Sequence, residues 1–311
     1  MNIDFSNFGI ITVASGNLRY YRQAELLAIS VKTNMPALPV AIVTDRLDVD
    51  RRWFDHVIRM NPDWGGGVQQ KLFLDRYSPF VETLFVDSDC IVTRDFETEL
   101  AGIRQFSFTP VCEQYLSPME MDPYVEDLRK ALVLCGGNCF PKFNGGVYFF
   151  KRDAVCAQVF DRARQILAEY KSYGVKDFNQ QGPGEETIFA LALAGLKMEK
   201  LYDDRGKLMR PTINVGKPFM IQPVQGGCRF KFYDQLVEPA ICHFVRNNVM
   251  DYHYRKAEYL LRNHNQAWRS YRDKLLFASH SIFSVGLYNL KMFRFRLLRW
   301  LRGNDHNRLA P

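Results

Sequence analysis

The stretch Thr83-Leu84-Phe85-Val86-Asp87-Ser88-Asp89-Cys90-Ile91-Val92 is the most informative part of the sequence, because two carboxylates interrupt an otherwise apolar, β-forming run. Acids at the end of a buried strand stay ionised only when a positive group meets them. Residues i and i+2 of an extended chain point to the same side, so Asp87 and Asp89 could both face one cation while Ser88 points away. An Asp-x-Asp triplet also arises by chance in solvated turns. The strand residues on both sides favour a divalent-cation site here.

Strand and helix patterns alternate around this stretch. Predicted strands cover residues 8–14, 38–44, 55–60 and 83–86, and predicted helices cover 20–33 and 69–77. Such alternation favours an α/β fold with a mostly parallel sheet and helices on both faces. Ligands of such sheets bind at the carboxyl ends of the strands. Both the loop at residues 15–17 and the two acids fall at such ends.

The second half of the chain is harder to interpret, and residues 112–141 show no clear period. Residues 144–151 predict a strand that a glycine pair opens, followed by a helix over 153–170. The loop 180–184 then leads into Glu185, Glu186 and a helix over 188–194. Glycines at a strand mouth allow the backbone to approach a ligand, or they make a tight turn. Both readings stay open.

The composition is typical of a globular protein, with 311 residues, 47% hydrophobic and 24% charged. We expect a main domain over residues 1–250 and an appendage over 251–311. The seven cysteines form no Cys-x-x-Cys pair, which favours reduced core thiols. The sequence has neither a long uninterrupted apolar segment nor the pattern of a signal peptide, so a cytoplasmic location is expected.

The net charge of +7 is concentrated in the C-terminal segment, where residues 285–311 hold six basic residues and one acid. The body of the chain is therefore nearly neutral, which argues against a nucleic-acid groove. Drawn as a helix, residues 285–302 separate apolar from basic side chains, except that Arg294 falls inside the apolar arc. This helix either lies on an anionic membrane, on its inner face, or docks on the domain with its basic face in solvent. The apolar side holds Leu287, Leu290, Phe293, Leu297, Leu298, Trp300 and Leu301, and the basic side holds Lys291, Arg296, Arg299 and Arg302.

Four features follow one another in a specific order and spacing. They are the loop at residues 14–20, the two acids, Phe143-Asn144-Gly145-Gly146-Val147, and Cys242-His243-Phe244 after a late strand. Together they resemble the GT-A nucleotide-sugar glycosyltransferases, most closely glycosyltransferase family 8, over about residues 8–245. The resemblance implies a GT-A, Rossmann-like α/β fold, here with a basic helical extension at the C-terminus.

The resemblance also implies roles for individual residues. The first loop and helix would line the uridine pocket, the Ser88 backbone would border the ribose, and Lys71 would approach the donor sugar or its phosphates. The residues that it places around the donor are Ala14, Gly16, Asn17, Tyr20, Lys71, Asp87, Ser88, Asn144, Gly145 and Gly146.

The same resemblance implies that Asp87, Asp89 and His243 hold a divalent metal. Two carboxylates, one imidazole and diphosphate oxygens are a mainly hard ligand set, which suits Mn²⁺ and next Mg²⁺. Zinc fits this set poorly, because it prefers thiolates or more imidazoles. Alternatively, His243 is a packed or surface histidine that binds no metal.

Two departures from the family pattern concern the reaction itself. Glu185 takes the position of a sugar-binding acid, and Glu186 takes that of a glutamine beneath the sugar. Both are catalytic candidates, and Glu186 could act as base or nucleophile; alternatively, the pair merely favours the start of a helix. Arg246 stands near the place where the family often has a lysine that grips the diphosphate, and it is the expected substitute.

These features predict a metal-dependent glycosyltransferase that moves a hexose from a nucleotide-diphosphate sugar to a glycan or glycolipid acceptor. A UDP-sugar is the expected donor, and no nucleic-acid partner is expected. A sugar nucleotidyltransferase is the first alternative, although the loop Val13-Ala14-Ser15-Gly16-Asn17 lacks its Gly-rich, basic character. A non-catalytic, membrane-associated protein on a transferase scaffold is the second, and three convergent metal ligands speak against it.

Overall fold

The computed structural model describes residues 7–178, 182–213, 215–224, 226–245, 248–249, 251–268 and 270–305. The strands are β1 (Phe8–Ala14), β2 (Val40–Thr44), β3 (His56–Arg59), β4 (Glu82–Val86), β5 (Cys90–Val92), β6 (Phe108–Leu116), β7 (Phe140–Lys151), β8 (Met209–Pro211), β9 (Val215–Ile221), β10 (Cys228–Phe232), β11 (Gln235–Val237) and β12 (Ile241–His243). The α-helices are α1 (Leu18–Asn34), α2 (Leu74–Tyr77), α3 (Glu97–Ile103), α4 (Leu128–Cys135), α5 (Ala154–Ala168), α6 (Glu185–Gly195), α7 (Tyr252–His264) and α8 (Tyr271–Asp305). Two 3₁₀ helices cover Pro62–Trp64 and Gly67–Phe73.

A six-stranded sheet in the order β3-β2-β1-β4-β7-β6 forms the centre of the molecule. Its first four strands are parallel, whereas β7 is antiparallel to both β4 and β6. Two three-stranded sheets, β11-β10-β9 and β5-β12-β8, complete the β structure. The predicted α/β class, with a mainly parallel central sheet flanked by helices, is therefore confirmed.

The strand register brings distant parts of the sequence to one edge of the sheet. Ile11 pairs with Phe85, and continuing this register places Ala14 level with Ser88. Val86 pairs with Val147, so the preceding residues of β7 extend past the end of β4. The adjoining small sheet pairs His243 of β12 with Cys90 of β5.

Apolar residues cover both faces of the central sheet. One face packs on α1, and the other packs on α5 and on α6, whose interior residues are buried on all sides. The ring centroid of Phe189 lies 5.0 Å from that of Phe108 and 5.4 Å from that of Phe160, and these aromatic contacts fix α6 on the sheet. The N-terminus of α6 is thereby held at the edge where β4 ends.

Several element boundaries differ from the sequence prediction. Strand β7 begins at Phe140, so the glycine pair lies within the strand and does not open it. The predicted helix over residues 69–77 is mostly 3₁₀ helix, and the unassigned residues 112–141 contain most of β6, all of α4 and the start of β7. Helix α6 begins at Glu185, and the C-terminal helix begins at Tyr271. Within the described ranges, no helix is both long and apolar enough to span a bilayer.

Candidate functional site

Backbone hydrogen bonds fix the turn that carries the two acids. The N–H of Asp87 donates to the carbonyl of Gly146 at 2.9 Å, and the N–H of Phe244 donates to the carbonyl of Asp89 at 3.1 Å. The turn is therefore tied to β7 on one side and to the end of β12 on the other. The two carboxylates are about a fifth exposed, at 21% and 23%, so they remain open to a ligand from solvent.

The His243 imidazole faces both acids through one ring nitrogen. Its Nε2 lies 3.1 Å from Asp89 Oδ1 and 3.7 Å from Asp87 Oδ2. Its Nδ1 lies 2.6 Å from Asn144 Oδ1, which also accepts the N–H of Gly146 at 3.2 Å. Since that oxygen only accepts, Nδ1 is the donor and Nε2 is the nitrogen directed to the acids. Asn144 thus fixes the orientation of the His243 ring. Metal-bound histidines are oriented in the same way, by a hydrogen bond on the ring nitrogen that does not bind the metal.

The titration of His243 reflects opposing influences. Burial lowers the pKa of the imidazole, but the charges of Asp89 and then Asp87 outweigh burial and raise the pKa above its ordinary value. The two acids therefore favour the protonated form of the imidazole.

The glycine pair is required by the close packing of side chains around it. A Cβ atom on Gly146 would lie 2.4 Å from His243 Nδ1, and one on Gly145 would lie 2.5 Å from the Tyr148 hydroxyl and 2.8 Å from Glu185 Oε1. The tight-turn reading is wrong, because both glycines lie in the extended strand β7. Their small size lets the histidine and the glutamate approach the strand.

Lys71 links the two acids to the start of α6. This side chain is buried, and its Nζ lies 2.8 Å from a carboxylate oxygen of Asp87 and 2.6 Å from Glu185 Oε1. Burial lowers the pKa of Lys71, but Asp87 and Glu185 outweigh it, so the pKa is raised overall. The lysine remains charged and is the counter-ion of both carboxylates.

Glu185 and Glu186 form the first turn of α6. Glu186 Oε1 accepts the N–H of Gly145 at 2.6 Å, which ties this helix to β7. Burial raises the pKa of both carboxyls, and the neighbouring Glu185 charge raises the pKa of Glu186 further. A raised pKa brings a carboxyl group closer to the range of an effective general base.

The loop after β1 forms the neighbouring part of this edge. Asn17 Oδ1 accepts the N–H of Arg19 at 2.8 Å and caps α1, while the Gly16 N–H donates to Asp45 Oδ2 at 2.9 Å. Gly16 has φ +74°, which favours glycine, and Ala14 is buried beneath the loop. Tyr20 is 45% exposed, and the Arg19 guanidinium carbon lies 5.5 Å from the centroid of its ring. Arg246 lies outside the described residues.

The donor set fits a divalent cation. Asp87, Asp89 and His243 converge with two carboxylates and one properly oriented imidazole, which suits Mn²⁺ or Mg²⁺. A second grouping also exists, because the ligand atoms of Asp89, Cys90 and His243 lie within 4.8 Å of one another. Sulfur is a soft ligand, so the Cys90 side chain is a poor ligand for a hard cation. For Mn²⁺ we therefore favour the set that includes Asp87.

Sequence reasoning missed an ion pair next to Glu186. Lys142 Nζ lies 2.5 Å from Asp122 Oδ2, and the Asp122 side chain is fully buried. The Lys142 charge lowers the pKa of Glu186, against the larger effects of burial and Glu185. Lys142 precedes Asn144 by two residues on the same face of β7, and this spacing could have pointed to it. The Tyr148 hydroxyl, buried beside Glu185 and without a hydrogen-bond partner among the described residues, was also missed.

The fold and the site define an α/β protein with a candidate metal centre at the carboxyl end of its central sheet. No protein-family model matches the chain, and no curated protein matches it in sequence. Among solved structures, the chain is similar to the galactosyltransferase LgtC in complex with donor and acceptor sugar analogues, at 14% identity and a TM-score of 0.49, covering 87% of this chain and 95% of that one.

Two further structures show the same kind of similarity. Mouse xyloside xylosyltransferase 1 in its apo form is 12% identical, with a TM-score of 0.45, over 78% of this chain and 98% of that one. The glycosyltransferase GlyE of Streptococcus pneumoniae TIGR4 is 17% identical, with a TM-score of 0.40, over 65% of this chain and 46% of that one. All three neighbours are glycosyltransferases. At such low identities and TM-scores, the function of this chain is inferred from its own site.

Proposed function

We propose that the protein is a metal-dependent glycosyltransferase of the GT-A type. Its substrates are a nucleotide-diphosphate sugar, with a UDP-hexose as the expected donor, and a glycan or glycolipid acceptor. The observation that carries the proposal is the convergence of Asp87, Asp89 and His243 at the end of β4, with Lys71 and Glu185 directly beside them.

The site residues suit the charge that this reaction develops. A bound Mn²⁺ or Mg²⁺ supplies positive charge to the diphosphate leaving group. Asp87, Asp89 and His243 are its proposed ligands, and Asn144 keeps Nε2 of the histidine directed to it. Lys71 lies where its charge can also reach the donor's phosphates or sugar.

Glu185 and Glu186 are proposed to act at the sugar. Glu185 is already engaged by Lys71, whereas Glu186 uses only Oε1 in its described hydrogen bond, to Gly145. An oxocarbenium-like transition state is stabilised by a carboxylate near the anomeric carbon. We therefore assign Glu186 the role of base or nucleophile, and Glu185 that of a sugar-binding acid held by Lys71.

The nucleoside is proposed to lie over the ends of β1 and β4, bordered by the Ser88 backbone. Gly16, Asn17 and Tyr20 are exposed there, above the buried Ala14. Gly145 and Gly146 would flank the sugar. Arg246 remains a predicted phosphate ligand.

The test is release of the nucleoside diphosphate from a panel of nucleotide sugars, with and without Mn²⁺. We expect UDP release that requires the metal and falls at least about 100-fold in Asp89→Asn, which removes a ligand charge. Asp234→Asn, in an exposed turn, is the matched control. Release of pyrophosphate would instead identify a nucleotidyltransferase. If no donor releases either a nucleoside diphosphate or pyrophosphate, the proposal that the protein is an enzyme is wrong.

We also propose that α8 contacts an anionic membrane surface. Phe277 anchors its base, with ring centroids 5.5 Å from Tyr259 and 5.4 Å from Trp268. Exposed apolar residues of α8 lie on one arc of about 140° at 3.6 residues per turn, which also holds the exposed Arg294. They are Leu275, Leu276, Ile282, Phe283, Leu287, Leu290, Phe293 and Leu297. The side chains of Lys291, Leu298, Trp300, Leu301 and the three predicted basic-side arginines lie outside the described residues.

Basic residues are concentrated in the same segment, and they attract negatively charged lipid headgroups. We therefore propose anionic lipid as the partner of this helix. The full chain should co-sediment with vesicles that contain anionic lipid and not with neutral ones. The double variant Leu290→Glu with Phe293→Glu should lose this binding, whereas Leu236→Glu, an exposed apolar position on another sheet, should keep it. Unchanged binding by the double variant, or a concentration-dependent dimer that it abolishes, would reject the lipid assignment.

A further inference from the structure

Three metal-ligating side chains of different chemical type meet where β5 pairs with β12. The ligand atoms of Asp89, Cys90 and His243 all lie within 4.8 Å of one another. We propose that these residues form a second ligand set that binds Zn²⁺ or another thiophilic cation and excludes Mn²⁺ from the site. The proposal that these residues bind Zn²⁺ is argued from the geometry alone. The proposal that Zn²⁺ thereby inhibits the enzyme rests on the proposed function.

The strand register explains why the Cys90 thiol faces this site. Cys90 and His243 are opposite each other in the antiparallel pair β5–β12, so their side chains lie on the same face. The Cys90 Sγ donates to the carbonyl of Gly146 at 3.8 Å. The His243 ring packs against the same glycine, where a Cβ atom would lie 2.4 Å from Nδ1. Thiol and imidazole therefore border one small residue.

Lys71 explains why Cys90, rather than Asp87, can serve as the third ligand. Nζ of Lys71 holds the Asp87 carboxylate at 2.8 Å, whereas His243 Nε2 is 3.7 Å from that group. A cation bound to Asp89, Cys90 and His243 leaves this partly buried ion pair intact.

The ligand chemistry selects the class of metal. Zn²⁺ binds thiolate, imidazole and carboxylate together, commonly with three protein ligands and one open position, whereas Mn²⁺ and Mg²⁺ prefer oxygen. Asp89 Oδ1 and His243 Nε2 are already 3.1 Å apart, close to the separation of roughly 3.3 Å that tetrahedral bonds of about 2.0 Å require. In the sequence analysis zinc fitted poorly, because the predicted ligand set held no thiolate.

The binding step balances without an oxidant or reductant. The Cys90 S–H bond breaks, a Zn–S bond forms, and the proton leaves to solvent. One thiolate and one carboxylate neutralise the two charges of the cation, which suits a buried position. Asp89 and His243 belong to both ligand sets, so Zn²⁺ and Mn²⁺ cannot occupy the site together.

Cobalt provides a spectroscopic test that does not depend on activity. Co²⁺ replaces Zn²⁺ in thiolate sites and gives a near-ultraviolet charge-transfer band only when sulfur is a ligand. Titration of the metal-free full chain with Co²⁺ should produce this band, and Cys90→Ser should abolish it. Cys242→Ser is the matched control: this buried cysteine neighbours His243, but strand alternation turns it to the opposite face, so the band should persist.

A second measurement keeps the proposal falsifiable if Cys90→Ser does not fold. X-ray absorption at the zinc edge of the wild-type protein should show one sulfur neighbour; a shell of only nitrogen and oxygen, or a cobalt band that survives in Cys90→Ser, overturns the site. Zn²⁺ should also inhibit Mn²⁺-dependent UDP release, about tenfold less strongly in Cys90→Ser than in Cys242→Ser. A sulfur ligand in a protein that never releases UDP would sustain the site and reject the proposed function, whereas UDP release with no sulfur ligand would do the reverse.

Discussion

At the scale of single residues, Gly146 shows how closely the site is packed. An alanine there would place Cβ 2.4 Å from His243 Nδ1 and 3.0 Å from Asn144 Oδ1. We expect Gly146→Ala to lower the free energy of unfolding by about 1–3 kcal/mol, as overpacking does, and to weaken Mn²⁺ binding because the histidine must move. Urea unfolding and calorimetric metal titration measure the two effects.

Gly66→Ala is the control for this substitution. No atom lies within 4 Å of a Cβ atom built at Gly66, and its φ of −110° suits any residue. Its stability should stay within about 0.5 kcal/mol of wild type, as for an ordinary surface change. Equal effects of the two alanines would contradict the role assigned to Gly146.

Glu186 offers a prediction with a definite pH dependence. Burial and then Glu185 raise its folded-state pKa above the unfolded value, so protonation favours the folded chain. The stabilisation is complete below the unfolded pKa and is lost as pH rises through the folded pKa. The glutamine of Glu186→Gln cannot titrate. The free energy of unfolding of the variant, relative to that of the wild type, should therefore be higher at pH 8 than at pH 5. Urea unfolding of the metal-free proteins at the two pH values measures this difference.

The same variant separates a chemical role from a structural one. Glutamine can still accept the Gly145 N–H, which preserves the contact between α6 and β7. If Glu186 is the base or nucleophile, UDP release should fall about 100-fold or more. Full activity in a variant with the expected stability profile would remove Glu186 from the reaction.

At the scale of elements, the sequence predicted those parts of the site that depend on local pattern. The acids at 87 and 89 end a strand whose apolar run is visible without any structure. Helical spacing after the loop at residues 15–17 predicted a helix from residue 20, two residues after the observed start of α1 at Leu18. The Cys90–His243 pairing depends instead on the register of strands 150 residues apart, which no local pattern encodes. Asp122, the buried partner of Lys142, lies in a stretch without a clear hydrophobic period. No local pattern therefore predicts this ion pair either.

Helix α7 is fixed to α1 by an ion pair that is buried on both sides. Arg262 lies 3.2 Å from Glu25, and their side chains are 8% and 4% exposed. Arg262→Met would leave Glu25 without this partner, and losing one member of a buried pair lowers stability by about 3–5 kcal/mol. Arg229→Met is the control, because the Arg229–Glu238 pair is exposed and should contribute only about 0–1 kcal/mol. Thermal unfolding of both variants would reject the docking role of Arg262 if the two losses were equal.

At the scale of the whole molecule, the core reaches beyond the boundary that the sequence suggested at residue 250. Tyr254, Ala257 and Leu261 of α7 are buried in one cluster with Leu26 and Ile29 of α1. Phe244, next to the proposed ligand His243, belongs to that cluster, and its ring centroid lies 5.1 Å from that of Tyr254. The division into a domain over residues 1–250 and an appendage over 251–311 stays a prediction. From these contacts we propose that α7 belongs with the domain that holds the candidate metal site.

Two truncations distinguish the two boundaries. Each large apolar side chain that loses full burial costs about 1.5–3 kcal/mol, so a chain ending at 250 forfeits much of a total stability of about 5–15 kcal/mol. We expect residues 1–268 to unfold cooperatively, bind Mn²⁺ and no longer bind anionic vesicles, while residues 1–250 lose both cooperative unfolding and metal binding. The metal site should fail with the shorter chain because Phe244 would lose its packing against α7 beside His243. Calorimetric unfolding and Mn²⁺ titration of both chains give the answer: a 1–250 protein as stable and as tightly metal-bound as 1–268 would restore the boundary at 250 and separate α7 from the site.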